Sequence, residues 1–432
     1  MKVCVLGLWH LGTVTAACLA SGGHQVVGLD FDVDVVQGLK NGQPPLFEPG
    51  LEDLVRQGLQ DGHLCFTTDI VEALNDADIV WITCDTPVDE DDQADVDYVV
   101  NQIKQLFPHL GSGMLMLISS QLPVGTTRLL EHDYAELDPD KQVTFAYSPE
   151  NLRLGKAIDV FTKPDRVIMG VRNQADQERL AALMAVFTDQ IEWMSVESAE
   201  MTKHALNAFL ATSVAFANEI AVLCERTGAD AKEVERGLKS EARIGPKAYL
   251  KPGAAFAGGT LARDIAFLTE LGEHLQLPLH LLSSVRTSNN AHKLWTRDAL
   301  HRVIKSLKGQ KIAVWGLTYK PGTNTLRRSS AVELCLWLAE QGAQVNAHDP
   351  AIQVLPDNLA SKITLIATPL DALDGASGVV IATEWPDYCS FSADQVISKM
   401  AQPVVIDSNQ FLLETLGNDH RIGYMAVGKV SI

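Results

Sequence analysis

Three residues near the start of the chain are spaced for phosphate and ribose recognition. Gly7 and Gly12 lie in "GLWHLG", directly after the apolar run "KVCV", and Asp30 closes the next apolar run, "HQVVGLD". A strand that turns into a helix points unpaired N–H groups and a partial positive charge at whatever sits above the turn. Gly7 permits the tight turn, and Gly12 lets the helix pack closely on the sheet. A carboxylate about twenty residues on can accept hydrogen bonds from a ribose and would repel a 2′-phosphate. The set points to a dinucleotide, and to NAD rather than NADP. Such a glycine pair also serves plain strand–helix packing; the strand before, the helix after and Asp30 together favour the cofactor. Trp9 is discordant, because its Cβ stands where a pyrophosphate normally approaches bare backbone.

A second pair lies in "AEMTKHALNAFLA". Lys203 and Asn207 are four residues apart, which places both on one face of a helix. Lysine brings a charge and asparagine a donor, the equipment for holding a developing oxyanion. Alone, the spacing fits better a solvent-exposed lysine and an asparagine at a helix contact.

The elements around these residues follow an α/β pattern. "KVCVLG", "HQVVGLD", "ADIVWIT", "GMLMLISS" and "VTFAYSPE" are apolar throughout rather than alternating, as strands buried on both faces of a parallel sheet are. Amphipathic stretches such as "EPGLEDLVRQGL" fit between them, giving a doubly wound sheet. A proline-free helical pattern starts near Ser198 and ends at Gly228, long enough to join domains and supply a dimer face. Further helical segments run to about Arg302. Then "KIAVWGLTYKPG" repeats the design of "KVCVLGLWHLG", and "EQGAQVNAHDP" that of "ASGGHQVVGLDFD". Two Rossmann-like units around a helical middle are expected, with no implied second cofactor.

Composition narrows the class. With 432 residues, 46% hydrophobic and 21% charged, the chain reads as a soluble protein of two or three domains. A net charge of −19 argues against general nucleic-acid binding, so an anionic ligand needs local lysines and arginines. No run is read as long enough to span a bilayer, and the first strand leaves no room for a signal peptide. The seven cysteines are scattered singly, mostly in apolar segments, which suits reduced thiols in a cytoplasmic protein. The acidic run "PVDEDDQADVD" lacks convergent metal-ligand spacing and reads as a solvated loop. No metal is expected.

Longer stretches converge on one family. "NGQPPLFEPGLEDLV", "DTPVDEDDQADVDYV", "SSQLPVGTT", "SPENLRLGKAIDVFTKPDRVIMG", "AEMTKHALNAFLATSVAFANEIAVLCERTGAD", "RIGPKAYLKPGAAFAGG" and "GLTYKPGTNTLRRSSAVELC" resemble, in order, the UDP-glucose/GDP-mannose dehydrogenase family. The resemblance implies two Rossmann-like domains joined by a long helix that forms a homodimer core. It divides the chain into an NAD-binding domain, 1–196, a central helical dimerisation domain, 197–302, and a sugar-nucleotide-binding domain, 303–432. It also implies oxidation of a sugar-nucleotide C6 alcohol to a carboxylate, with two NAD molecules and a covalent cysteine thioester.

Carried over to this sequence, the resemblance assigns Gly7, Leu11, Gly12, Asp30, Thr86, Pro87, Gln121, Arg263 and Arg327 to the cofactor. Lys203 and Asn207 match the catalytic lysine and asparagine, and Asp264 an aspartate that orients water. Glu150, Arg153, Lys203, Asn207, Arg243, Gly258, Gly259 and Lys320 fall at substrate positions, Arg243 at one that reaches a neighbouring subunit's sugar nucleotide.

The family's nucleophile is missing. Its run of two glycines, serine, cysteine, two residues, a basic residue and aspartate appears here as "AGGTLARDIAF", one residue shorter and without cysteine. Counted back from Asp264 the cysteine's place falls on Thr260; counted forward from Gly259 it falls on Leu261. An alkyl hydroxyl is far harder to deprotonate than a thiol. Gln121 displaces a threonine of the family, and Leu154 a glutamate tied to the thioester step. The expectation is an NAD-dependent oxidoreductase acting on the sugar alcohol of a nucleotide sugar without the covalent half of the reaction. Two other readings stay open: a conventional UDP-sugar 6-dehydrogenase using a non-cysteine route, and a non-catalytic relative that binds NAD or a sugar nucleotide.

Overall fold

The computed structural model describes residues 1–87, 94–149, 152–257 and 259–429. They divide into two compact units, Met1–Leu206 and Asn207–Ile432. The architecture is the expected one: two Rossmann-like sheets and a long helix in an α/β chain.

In the first unit, eight strands are ordered β3-β2-β1-β4-β5-β6-β7-β8. They are β1 Lys2–Leu6, β2 Gln25–Leu29, β3 Leu64–Thr67, β4 Ile79–Ile82, β5 Leu115–Ile118, β6 Thr144–Tyr147, β7 Val167–Gly170 and β8 Ile191–Met194. The chain leaves β1 into α1, His10–Ser21, and returns beside it as β2. Every residue of β4 and β5 is buried, which is why these strands read as unbroken apolar runs. Two apolar clusters cover the faces of the sheet, one around Val3, Val5 and Leu117, the other around Leu6, Ile82 and Ile118.

The sheet departs from the all-parallel expectation at one seam. β6 and β7 pair antiparallel through Tyr147 and Gly170. The connection between them does not carry the chain back to the end where β6 began, as a parallel crossover requires. Three short strands, β3, β7 and β8, were not among those expected from apolar runs.

The long helix, here α3, spans Val196–Thr227. By length and composition it could cross a membrane, contrary to the expectation that no run is long enough. Glu200, Lys203, His204, Asn207 and Asn218 are nevertheless buried along it. Buried polar groups need protein partners, and a core helix supplies them.

In the second unit, six parallel strands are ordered β11-β10-β9-β12-β13-β14. They are β9 Lys311–Trp315, β10 Gln344–His348, β11 Thr364–Leu365, β12 Gly378–Ile381, β13 Val404–Ile406 and β14 Gly423–Met425. Helices α4, Thr260–His274, α5, His280–His292, and α6, Trp295–Val303, precede this sheet, and α7, Ser330–Glu340, follows β9.

Candidate active site

In the first unit, the sequence-predicted cofactor residues gather at the carboxyl ends of β1, β2, β4 and β5. Strand order reverses between β1 and β4, the crevice where open α/β sheets take their ligands. Gly7 has φ +91°, and a Cβ there would stand 2.7 Å from the Cys84 Cα. A Cβ on Gly12 would strike the Gly7 carbonyl and the Thr83 hydroxyl, so the glycine sets how closely α1 approaches the turn. Leu11 is half-buried in the first turn of α1.

Asp30 is half-buried just beyond β2. One carboxylate oxygen accepts the Leu8 N–H at 2.6 Å and the other the Asp32 N–H at 2.9 Å. Each oxygen keeps acceptor capacity for a hydroxyl. Trp9 is the N-cap of α1 and, among the described residues, makes no side-chain capping bond. The helix therefore presents its first N–H groups unclaimed by a cap, and its opening turn, His10-Leu11-Gly12, carries no carboxylate. The indole is exposed.

Thr86 and Gln121 are joined: the Thr86 hydroxyl donates to the Gln121 carbonyl at 2.7 Å. Pro87 lies exposed beside Thr86. The turn that follows Gln121 is fastened to α3 by two residues that sequence reasoning missed. His204 donates through Nε2 to the Leu122 carbonyl at 2.9 Å. The fully buried Glu200 carboxylate accepts the Gly125 N–H at 2.6 Å and both the N–H, at 3.0 Å, and the hydroxyl, at 2.6 Å, of Thr127. It thereby caps the helix α2, Thr126–Leu137, a negative charge at a positive helix end. The signal was present: Glu200, Lys203, His204 and Asn207 share one helical face by their spacing. Lys203 is buried on that face.

In the second unit, the Asn207 amide donates to Asp264 Oδ2 at 2.5 Å, and Asp264 is fully buried. Gly259 has φ +104° and forms the N-cap of α4, so Thr260 is the exposed first residue of that helix and Arg263 lies half-buried one turn on. A helix N-terminus helps to lower a thiol pKa. The threonine hydroxyl starts so much higher that the same field does not make it an alkoxide.

Other predicted residues lie at exposed positions. Arg243 is exposed and pairs with Glu241 at 2.9 Å. Lys320 and Arg327 lie exposed on the loop between β9 and α7, and Arg153 and Leu154 on an exposed stretch of the first unit. Glu150, Gly258 and most of the acidic run, 88–93, fall outside the described residues.

Burial pushes Cys4, Cys18, Cys84 and Cys335 up to about 12, with the charges of Asp30 and Asp85 adding to the effect at Cys84. Burial first, then nearby carboxylates, also raises Cys65, Cys224 and Cys389. All seven thiols are thus shifted away from the thiolate form.

Residues 1–188 match the NAD binding domain of the UDP-glucose/GDP-mannose dehydrogenase family, 197–291 its central domain and 313–414 its UDP binding domain. The chain belongs to this family. It is similar to UDP-glucose 6-dehydrogenase of Pseudomonas aeruginosa, 33% identical with 99% of this chain and 98% of that protein covered. UDP-glucose 6-dehydrogenase TuaD of Bacillus subtilis is likewise 33% identical, over 100% of this chain and 94% of its own length. Among solved structures, a UDP-glucose dehydrogenase from the hyperthermophilic archaeon Pyrobaculum islandicum superimposes with a TM-score of 0.86 at 31% identity, covering 99% of this chain and 98% of its own.

The cofactor of this nucleotide sugar dehydrogenase family member is NAD, and the first turn fits it. The open end of α1 suits a pyrophosphate, the close seat of Gly12 keeps the helix against the turn, and Asp30 retains acceptors for ribose hydroxyls.

Proposed function

We propose that the protein is an NAD-dependent oxidoreductase that takes the sugar alcohol of a UDP-sugar to the aldehyde level, a two-electron oxidation, without forming an enzyme thioester. The observation that carries this reading is at the start of α4, where the place of the family's cysteine is taken by Thr260 or Leu261.

NAD, when bound, accepts hydride from the sugar carbon. The chain's part is to stabilise the alcohol as its proton leaves. Lys203 offers a charged donor, and Asn207, whose amide carries a second N–H besides the one given to Asp264, offers a neutral one. Asp264, buried and already aligned by Asn207, orients the water that takes the proton. Arg153, Lys320 and Arg327 supply positive charge for the pyrophosphates in a chain whose overall balance is acidic.

The active form in this reading is a homodimer in the cytoplasm. Phe209, Phe216 and Leu223 recur every seven residues on α3 and are exposed by 69%, 47% and 59%, an apolar stripe that a second copy would cover.

Product stoichiometry tests the proposal. With UDP-glucose as the probe, one NADH per sugar and an aldehyde-level product are expected. Two NADH per sugar with a uronate product would overturn the two-electron reading, and would call for a hydrate route or another nucleophile.

A further inference from the structure

We propose that His10 and Glu48 are positioning residues that lock the loop 152–156 to the NAD-binding turn. The inference rests on the reading above, in which that loop serves the sugar nucleotide.

Glu48 lies in "FEPGL", a stretch with no assigned role. Its side chain is 1% exposed, yet it takes three hydrogen bonds from two separate parts of the first unit. Oε2 lies 2.9 Å from His10 Nε2 and accepts the Gly155 N–H at 2.8 Å, while Oε1 accepts the Ala157 N–H at 2.9 Å. Burial alone would raise its pKa, but the bonds from Gly155, His10 and Ala157 outweigh it and leave the carboxyl below its ordinary range. The group is therefore ionised and only accepts, so the imidazole donates.

The partners give the arrangement its meaning. His10 is the first residue of α1, next to Trp9, at the helix end that faces the dinucleotide. Gly155 and Ala157 bracket the end of the loop that carries Arg153. A buried charge is held only by its full set of donors. Here two come from the substrate side and the third from the cofactor side. The backbone of Glu48 is itself fixed, its carbonyl accepting the Leu51 N–H at 3.1 Å where the next helix begins. The carboxylate is thus a rigid clip between two ligand-binding segments, and a ligand that steadies one should steady the other.

Amide hydrogen exchange on the whole protein separates this from a merely structural contact. In the wild type, adding NAD alone should slow exchange of the Gly155 and Ala157 amides. In His10→Ala those amides should exchange faster and lose their response to NAD, while His10→Gln, which restores a donor, should recover both. In turnover with UDP-glucose, His10→Ala should raise KM about tenfold with kcat little changed, the size of one lost charged hydrogen bond. Amides that respond to NAD equally in the wild type and His10→Ala, or that never respond, would overturn the proposal. Glu48→Gln gives a second test: it keeps one acceptor and should weaken protection at Ala157 or Gly155 without unfolding the unit. Lack of turnover with any UDP-sugar would refute the proposed reaction, whereas the exchange result decides the clip independently.

Discussion

The two sheets share one strand–turn–helix–strand design and spend its carboxylate in opposite ways. Gly7 and Gly316 have φ of +91° and +93°, and each donates its N–H to the end of the neighbouring strand, to Leu29 at 3.0 Å and to His348 at 2.7 Å. The next residue is leucine in both turns. Leu8 donates to Asp30 at 2.6 Å, and Leu317 to Asp349 at 2.7 Å. There the likeness ends. Asp30 takes one further N–H and stays half-buried, whereas Asp349 is 3% exposed and also accepts the Thr318 N–H, the Thr318 hydroxyl, the Trp385 indole and the Ala351 N–H. Four of its five bonds crowd one oxygen, Oδ2, and burial closes the carboxylate to a ribose. The helices differ in the same sense. Trp9 leaves α1 without a side-chain cap among the described residues, while the Ser329 hydroxyl caps α7 and donates to the Leu317 carbonyl at 2.6 Å. The first sheet keeps its acid and its helix end for a ligand; the second uses both to hold its own loop. Repetition of the fold is not repetition of the cofactor site.

The sharpest way to break this comparison is to remove both acids. Asp349→Ala strands several buried donors at once and should cost about 3–5 kcal/mol of stability, seen as a lowered thermal transition, with NAD affinity in the folded protein retained. Asp30→Ala strands one buried N–H, that of Leu8, and one exposed N–H, that of Asp32, and removes the ribose acceptor. It should weaken NAD about ten- to a hundredfold by calorimetric titration, with a smaller loss of thermal stability than Asp349→Ala. Interchanged outcomes, with Asp349→Ala abolishing NAD binding in a folded protein, would place the cofactor on the wrong sheet.

How much of this was legible depended on whether a feature is local. The runs that became β1, β2, β4, β5 and β6 could be read because strands covered on both faces are apolar at every position. The run Ile191–Met194 could not: β8 is only half-buried, and its pattern carries no such signal. The antiparallel seam was hidden because strand direction is set by the connection, not by strand composition. At the candidate site, the turn of Gly7, Gly12 and Asp30 is contiguous and follows from known spacing. Glu48, Glu200 and Asp349 were missed because a carboxylate's role here depends on which backbone N–H groups reach it from distant segments. Sequence shows that Asp30 and Asp349 end equivalent strands; only the count of donors around each tells a binding acid from a structural one.

The smallest expected effect is at the third position of the two turns, where Trp9 stands opposite Thr318. Thr318 closes its turn by giving both its N–H and its hydroxyl to Asp349, at 2.9 Å and 3.0 Å. Trp9 offers no hydroxyl, and its indole is 48% exposed, so little packing is lost on its removal. Trp9→Gly keeps a tolerated N-cap and lets a pyrophosphate approach bare backbone, and should tighten NAD about threefold. Trp9→Thr supplies the hydroxyl that fills the acid of the second sheet and should weaken NAD by about the same factor. Opposite signs for these two substitutions, measured side by side by calorimetric titration, would show that occupancy of Asp30 controls the site. Loss of affinity in both would instead assign the indole a direct contact with the dinucleotide, a gain that offsets the absent glycine and that the second turn never acquired.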